Sequence, residues 1–184
     1  TGLASGTSYS FRVYGEVGSP SWSGTKSIVS NTATAATTGS GLTAAALQAA
    51  FDQVPNNGDY DGVYGLQCVD LYLWFVNNYT TLSAPSANGK DCVSKLANKY
   101  GLTVRSTPTP YSIFSTASAN GSFWCNNTQY GHTGVVVSVN TSTKKCTILH
   151  TGNSLQNTIP RSWITEVSYD VDDVVFVDLR PYLK

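Results

Sequence analysis

The segment QCVDLYLWFVNNY, residues 67–79, carries apolar side chains around most of its circumference when it is drawn as a helix. These side chains are Val69, Leu71, Leu73, Trp74, Phe75 and Val76. A helix that is apolar nearly all round cannot lie on a surface and must be covered by its neighbours. The segment therefore predicts a buried central helix, and the rest of the chain has to supply the layers around it.

Two more helices and a set of strands are predicted. LTAAALQAAFDQV, residues 42–54, is a short amphipathic helix, and DCVSKLANKYG, residues 91–101, is a third helix that Gly101 ends. The C-terminal half changes to β-forming runs separated by Asn, Ser, Thr and Gly, namely YSIFSTA, HTGVVVSV, CTILHTG and DVVFVDL. Helices followed by an antiparallel sheet predict an α+β domain rather than a doubly wound one.

The first 37 residues have a different pattern. SYSFRVYGEV alternates as a half-buried strand does, with Tyr9, Phe11 and Val13 on one face, and TKSIVSNTATAAT predicts a second strand. This pair resembles the last two strands of a fibronectin type III module, and residues 38–41 are predicted as a linker to the main domain, residues 42–184. Two interpretations of the β-hairpin stay open: the end of a truncated sandwich, which we favour, and a hairpin docked on the next domain.

Charge and hydropathy argue against two classes of partner. Only 12% of the residues are charged, and Lys plus Arg equals Asp plus Glu, so the formal net charge is zero. A neutral chain has no basic field with which to attract nucleic acid or an anionic membrane surface. No apolar run approaches the roughly 18 residues that a membrane span requires. We therefore expect neither nucleic acid nor a membrane as partner.

The chain has four cysteines, Cys68, Cys92, Cys125 and Cys146, and two histidines. No CxxC pair occurs and there are only two histidines, so we do not expect a structural zinc site. If one cysteine is a nucleophile, the three that remain cannot form a full disulfide framework. One bridge, for example between Cys125 and Cys146, stays open as an alternative.

Cys68 lies where an acidic loop becomes the central helix. The free backbone N–H groups and the positive end of the helix dipole at such a position favour a thiolate. His132 begins one β-forming run and His150 ends the next, so two adjacent antiparallel strands would place both on one side of the sheet edge. His132 could then accept the Cys68 proton while His150 orients it. The alternative is that Cys68 is a small core residue and that the histidines have structural roles.

These residues also carry a resemblance. GVYGLQCVDL and YGHTGVVVSVNTSTKKCTILHTGN are similar to the CHAP family, the cysteine- and histidine-dependent amidohydrolases and peptidases, over roughly residues 42–184. The similarity is closest to CHAP domains of phage endolysins and tail-associated lysins. It implies a papain-like fold with N-terminal helices packed on an antiparallel sheet, with Cys68 as the nucleophile and His132 as the general base.

The resemblance leaves the third catalytic residue open. CHAP domains usually carry a Glu or Asp at the end of the strand after the histidine strand, with an Asn shortly after it. Here His150 occupies the acid position, and Asn153 is the nearest counterpart of the Asn. The related NlpC-type hydrolases use a Cys-His-His set, so a histidine at this position is chemically acceptable. For the oxyanion hole the Cys68 backbone N–H is the first candidate donor, with Gln67 and Tyr64 as candidates for the second.

The acidic loop DYDGVYGLQCVD has the ligand offsets of an EF-hand calcium loop, counted from its first residue. The candidate Ca²⁺ ligands are the side chains of Asp59, Asp61 and Asp70 and the carbonyls of Val63 and Gly65. The glycines do not fall at the EF-hand position, but the stretch resembles a calcium-binding D-x-D-G-x-Y-x-x-Q-C-x-D segment of some phage-lysin CHAP domains. The alternative is a solvated turn with an aspartate near the helix N-terminus.

These features together predict a peptidoglycan hydrolase of the amidase or endopeptidase type. The resemblance implies that it acts outside the cell, as a secreted or phage tail-associated lysin of a Gram-positive system. Its N-terminal region would then contact other tail or wall-anchored modules. Two alternatives are a non-catalytic wall-binding or tail-tip domain that keeps the fold, and a cysteine protease that acts on proteins.

Overall fold

The computed structural model describes residues 42–119, 122–171 and 173–184. The predicted fibronectin-like hairpin and the linker lie outside the described residues, so both remain predictions. From Leu42 onward the chain forms one compact unit.

Three α-helices precede the sheet: α1, Ala44–Phe51, α2, Cys68–Tyr79, and α3, Cys92–Tyr100. Helix α1 is shorter than predicted, because Thr43 caps its first turn by accepting a hydrogen bond from the Ala46 N–H (3.1 Å). Helix α2 has almost the predicted bounds. Helix α3 ends at Gly101, which adopts the left-handed conformation (φ +67°) that a glycine C-cap favours.

Within the described residues the sheet has six strands in the order β1-β6-β2-β3-β4-β5, and neighbouring strands are antiparallel. Their ranges are β1, Val104–Arg105, β2, Ser112–Thr116, β3, His132–Asn140, β4, Lys145–His150, β5, Trp163–Ser168, and β6, Val174–Asp178. The four predicted strands are all present. β1 and β5, which form the two edges of the sheet, were not predicted.

The sheet packs apolar side chains on both faces. Alternate residues of β3 divide between two clusters: Val135 joins the one that contains α2, and Val136 joins the other. The second cluster includes Phe114 and Phe123, whose rings meet at 4.9 Å. The fold class predicted from the sequence, α+β with helices packed on an antiparallel sheet, is confirmed.

The central helix is as buried as its composition requires. Residues 70–76 of α2 are all buried, and Leu71, Phe75 and Val76 are fully inaccessible to solvent. None of the helices in the described ranges combines the length and the apolarity of a membrane span.

Candidate active site

Cys68 is the first residue of α2 and is partly exposed. The backbone N–H groups of Cys68 itself and of Thr133, the second residue of β3, lie close enough to its sulfur to favour the thiolate. Burial nevertheless raises the pKa of the Cys68 thiol to about 11, although both backbone donors lower it. The donors act in the direction predicted from the helix start, but burial is the larger effect.

His132 and His150 lie side by side because β3 and β4 are adjacent, with Gly134 opposite His150. His132 Nε2 is 3.0 Å from His150 Nδ1, within hydrogen-bond distance. On its other side His150 Nε2 is 3.1 Å from the hydroxyl oxygen of Thr165 in β5. Thr165 was not among the predicted site residues, although the alternation in WITEVS puts Trp163 and Thr165 on one face of a strand.

Both imidazoles are shielded from water, with His132 8% exposed and His150 1% exposed. Burial lowers the pKa of His132 to about 4. Burial, and then the proximity of His132, lower the pKa of His150 to about 3. Both side chains are therefore neutral at neutral pH, and one can donate a hydrogen bond to the other without charge repulsion.

A proton NMR titration should reveal this shielding. At pH 5 a histidine with a pKa of about 4 is roughly nine-tenths neutral, whereas one with the ordinary value of about 6.5 is almost fully protonated. The chain has two histidines, so its imidazole C–H resonances belong to these residues alone. We expect neither to titrate above about pH 5. A midpoint near 6.5 for either histidine in the folded protein would contradict the burial argument.

The remaining predicted site residues take different positions. Asn153 is exposed in the turn Asn153–Leu155, and within the described residues its side chain makes no hydrogen bond to either histidine. The Gln67 N–H is already committed to Asp70 Oδ2 (2.7 Å), so only the Gln67 side chain remains as an oxyanion donor. Tyr64 is 86% exposed in the acidic loop. His150 therefore occupies the third position beside His132, and Asn153 does not.

The backbone of His132 is held by two glycines. A Cβ on Gly89 would lie 2.9 Å from His132 Cα, and a Cβ on Gly131 would lie 2.5 Å from the carbonyl oxygen of Thr116. The Gly89 carbonyl accepts a hydrogen bond from the Ser115 hydroxyl (2.7 Å). This close approach fixes the start of β3 against the segment that leads into α3.

Among the described residues no hydrogen bond joins the Cys68 thiol to His132. In enzymes such contacts often form only when substrate is bound.

The three aspartate carboxylates of the acidic loop lie close together. Asp59, Asp61 and Asp70 each offer an oxygen within 4.8 Å of the others. Asp70 is fully buried and accepts N–H groups from Tyr60 (2.7 Å) and Gln67 (2.7 Å), which fold the loop onto the first turn of α2. Burial raises the pKa of Asp70 to about 6.

The Val63 N–H forms hydrogen bonds with two of the loop aspartates. It donates to Asp59 Oδ1 (3.0 Å) and to Asp61 Oδ1 (2.9 Å). Within the described residues the carbonyls of Val63 and Gly65 accept no hydrogen bond. The predicted ligand side chains are thus brought together, and the two carbonyls remain available.

All four cysteines are free thiols, and the bridge between Cys125 and Cys146 that was left open is absent. Cys92, Cys125 and Cys146 are buried, whereas Cys68 is partly exposed. Cys68 is therefore the one cysteine that is not buried as a residue, although its thiol is shielded enough from water for its pKa to be raised.

Comparison with known proteins gives one matching family and several similar solved structures. The family model described as CHAP domain matches residues 56–152, more than half of the chain, a range that contains Cys68, His132 and His150. No curated protein matches.

Two of the solved structures that resemble the chain illustrate the extent of the likeness. The N-acetylmuramoyl-L-alanine amidase from Staphylococcus aureus is 15% identical, with a TM-score of 0.46, over 62% of this chain and 31% of that one. Ly7917 is 17% identical, with a TM-score of 0.42, over 61% of this chain and 53% of that one. The chain thus spans about a third and about half of these two proteins.

Proposed function

The chain belongs to the CHAP domain family, whose model matches more than half of it, and from this membership we propose that it is a peptidoglycan hydrolase that uses Cys68 as its nucleophile. The observation that carries the proposal is the 3.0 Å contact between His132 and His150 at the end of the sheet. The Cys68 thiol lies at the same end, because the backbone N–H of Thr133, the residue that follows His132, is close enough to lower its pKa.

The protonation states define how the reaction would begin. With a thiol pKa of about 11 and an imidazole pKa of about 4, thiol and imidazole are both neutral at pH 7. Proton transfer from Cys68 to His132 must therefore accompany the attack on the substrate rather than precede it. The tautomer that leaves His132 Nδ1 free to accept has Nε2–H donating to His150, and His150 in turn donates Nε2–H to Thr165.

The remaining steps follow from this arrangement. The sulfur forms a bond to the carbonyl carbon of a wall amide, and the oxyanion would be met by the Cys68 N–H and the Gln67 side chain. Collapse of the intermediate breaks the C–N bond, and His132 returns its proton to the leaving amine. Water then attacks the thioester, loses a proton to His132 and releases the acid product and the thiol.

Clearing of purified Gram-positive sacculi tests the proposal. We expect hydrolysis by the wild-type chain and none by Cys68→Ala, because no other thiol is placed to attack. Cys146→Ala is the matched control, since it removes a buried thiol from the second apolar cluster. Mass spectrometry of the products would identify the cleaved bond from the new amino termini.

Three other outcomes would decide against the proposal. Equal clearing by Cys68→Ala and the wild type would exclude the thiol mechanism. Binding to sacculi without clearing by the wild type would favour the non-catalytic wall-binding alternative. Cleavage of casein but not of sacculi would favour a protease that acts on proteins.

We also propose that the acidic loop binds Ca²⁺. Calcium prefers carboxylate and carbonyl oxygens, which the loop provides in Asp59, Asp61 and Asp70 and in the carbonyls of Val63 and Gly65. Each aspartate retains acceptor capacity beyond its backbone hydrogen bonds, so the residues present fit the ion. The ion would supply positive charge that ties the loop to the first turn of α2, two residues from Cys68.

Thermal unfolding tests the calcium site independently of activity. Ligand at a hundredfold excess over Kd stabilises the folded state by about 2.7 kcal/mol, which corresponds to several degrees in Tm. We expect chelation to lower Tm, Ca²⁺ to restore it, and Asp59→Asn to abolish the response. Asp91→Asn, at the start of another helix, is the control that should keep the response. An identical Tm with chelator and with Ca²⁺ would contradict the proposal.

The place of action is proposed to be outside the cell, in the medium or on a phage tail. One support is the composition, in which the polar residues are mainly Ser, Thr, Asn and Gly rather than charged residues. The other is the fibronectin-like N-terminal pattern, which would suit contacts with other tail or wall modules. An antibody to the chain should detect it in culture medium or in purified virions. Detection in the cytoplasmic fraction alone would contradict this proposal.

A further inference from the structure

Two tryptophans lie directly on the histidine pair. The Trp163 ring centroid is 5.2 Å from that of His150, and the Trp124 ring centroid is 6.0 Å from it. Trp163 is 38% exposed and Trp124 is 58% exposed, whereas His150 itself is 1% exposed. The surface next to the catalytic histidines is therefore formed in large part by indole rings that face solvent.

Trp124 is held outward by its own loop. Its neighbours Phe123 and Cys125 are 1% and 4% exposed, and the Phe123 ring packs 4.9 Å from Phe114 and 5.9 Å from Phe176. Trp124 itself has a φ of +58°, a left-handed conformation that is uncommon for a bulky side chain. The two anchors inside the core thus fix a strained backbone that presents the ring to solvent, and such strain concentrates at binding and catalytic sites.

Trp163 is held in place by different contacts. It is the first residue of β5 and lies opposite His150 in the strand register. The two residues before it are tied to α1, since the Arg161 N–H donates to Asp52 Oδ1 (2.7 Å) and Gln48 Nε2 donates to the Ser162 carbonyl (2.6 Å). Both indoles are therefore positioned before any ligand arrives, which lowers the entropic cost of binding.

The residue types on this surface indicate which class of ligand it would bind. The loop from Ser122 to Gly131, SFWCNNTQYG, contains no charged residue, and its exposed side chains around Trp124 are amides and hydroxyls such as those of Asn126 and Thr128. Around Trp124 the loop itself therefore offers no ionic partner to the charged groups of a wall peptide, and the exposed Lys90 lies at the other end of the loop, against Gly131. Flat indole faces with neutral hydrogen-bonding groups beside them instead suit a neutral ring that has an apolar C–H face and a polar rim.

We propose that Trp124 and Trp163 form a subsite for an N-acetylated sugar ring of the glycan strand. This inference rests on the proposed function, because it names the part of the wall that docks beside the catalytic histidines. A sugar held there lies one side chain away from His132, so the subsite would position the substrate for attack by Cys68.

Binding to a peptide-free sugar tests the subsite without any turnover. The probe is the N-acetylglucosamine tetramer, titrated into the full chain carrying Cys68→Ala and followed by the indole N–H resonances. We expect binding, and we expect Trp124→Ala or Trp163→Ala to weaken it at least tenfold. Tyr130→Ala is the matched control, because Tyr130 is 53% exposed on the same loop and makes no ring contact with either histidine.

The outcomes separate this inference from the proposed function. Absence of sugar binding, or equal binding by the tryptophan variants, overturns the subsite even if sacculi are cleared in a Cys68-dependent way. Loss of affinity for an isolated stem peptide, with sugar binding unchanged, also overturns it and makes the surface a peptide site. Sugar binding that depends on both indoles supports the subsite even if the wild type clears no sacculi.

Kinetics give a second readout. In the active chain Trp124→Ala is expected to raise KM about tenfold and to leave kcat within a few-fold, since the ring contributes uniform binding. The side chain of Trp124 is more than half exposed, so this variant retains the core and remains informative if Trp163→Ala fails to fold. A fall in kcat with KM unchanged would overturn the binding role.

Discussion

Replacing His132 by alanine is expected to lower the hydrolysis of sacculi by about 10³- to 10⁴-fold, near the upper end for loss of a general base. Replacing His150 by alanine is expected to cost less, about 10- to 100-fold, the range known for groups that orient metal-bound histidines. The difference arises because His132 exchanges the proton itself, whereas His150 only accepts a hydrogen bond from it. A neutral imidazole also stabilises the developing imidazolium less than a carboxylate would.

Initial rates with both variants at matched enzyme concentration would establish the ranking. Each variant must first show wild-type melting, because both side chains are buried. Equal and total loss in both would contradict the ranking and would mean that His150 shares the proton. Unchanged activity in His150→Ala would mean that the pair is structural.

The second large effect is expected at Gly131. This residue adopts a φ of +71°, and a Cβ there would overlap Lys90 Cβ and the carbonyl oxygen of Thr116. We expect Gly131→Ala to lower the free energy of unfolding by about 3 kcal/mol or more, because left-handed strain and steric overlap add. Activity should fall as well, since Gly131 immediately precedes His132.

Gly101 is a matched control for this substitution. It has nearly the same φ, +67°, but a Cβ there would meet no atom within 4 Å. Gly101→Ala should therefore cost only the backbone term, about 1 kcal/mol. Urea unfolding measures both values. Equal destabilisation at the two positions would show that close packing at Gly131 contributes nothing.

The fold could be predicted where local pattern determines it. The all-round apolar character of residues 67–79 required a buried helix, and the β-forming runs that carry His132 and His150 became neighbouring strands. These two strands are neighbours in the sheet because the connection between them is short and favours antiparallel pairing. The edge strands β1 and β5 were missed, because β1 has only two residues and β5 mixes exposed apolar and charged side chains.

The site was less predictable, because its properties depend on contacts between distant parts of the chain. The spacing of the acidic loop indicated which aspartates would meet, since they are close in sequence. The raised pKa of Cys68 could not be predicted, because burial is set by the packing of α2 against β3. The contact of Trp124 with His150 depends on a loop anchored by Phe123, for which the sequence holds no periodic signal.

The edge strand β5 contributes two side chains to the candidate site. β5 pairs only with β4, yet it contributes Thr165 to the hydrogen bond with His150 and Trp163 to the surface above it. Edge strands open locally at a lower free energy than the centre of a sheet, and hydrogen exchange of their amides reports that opening. Detachment of this one strand would remove both contacts while α2 and the central strands stay folded. The arrangement of the proposed site is therefore expected to depend on the free energy of local opening of β5, which can be lower than the free energy of global unfolding.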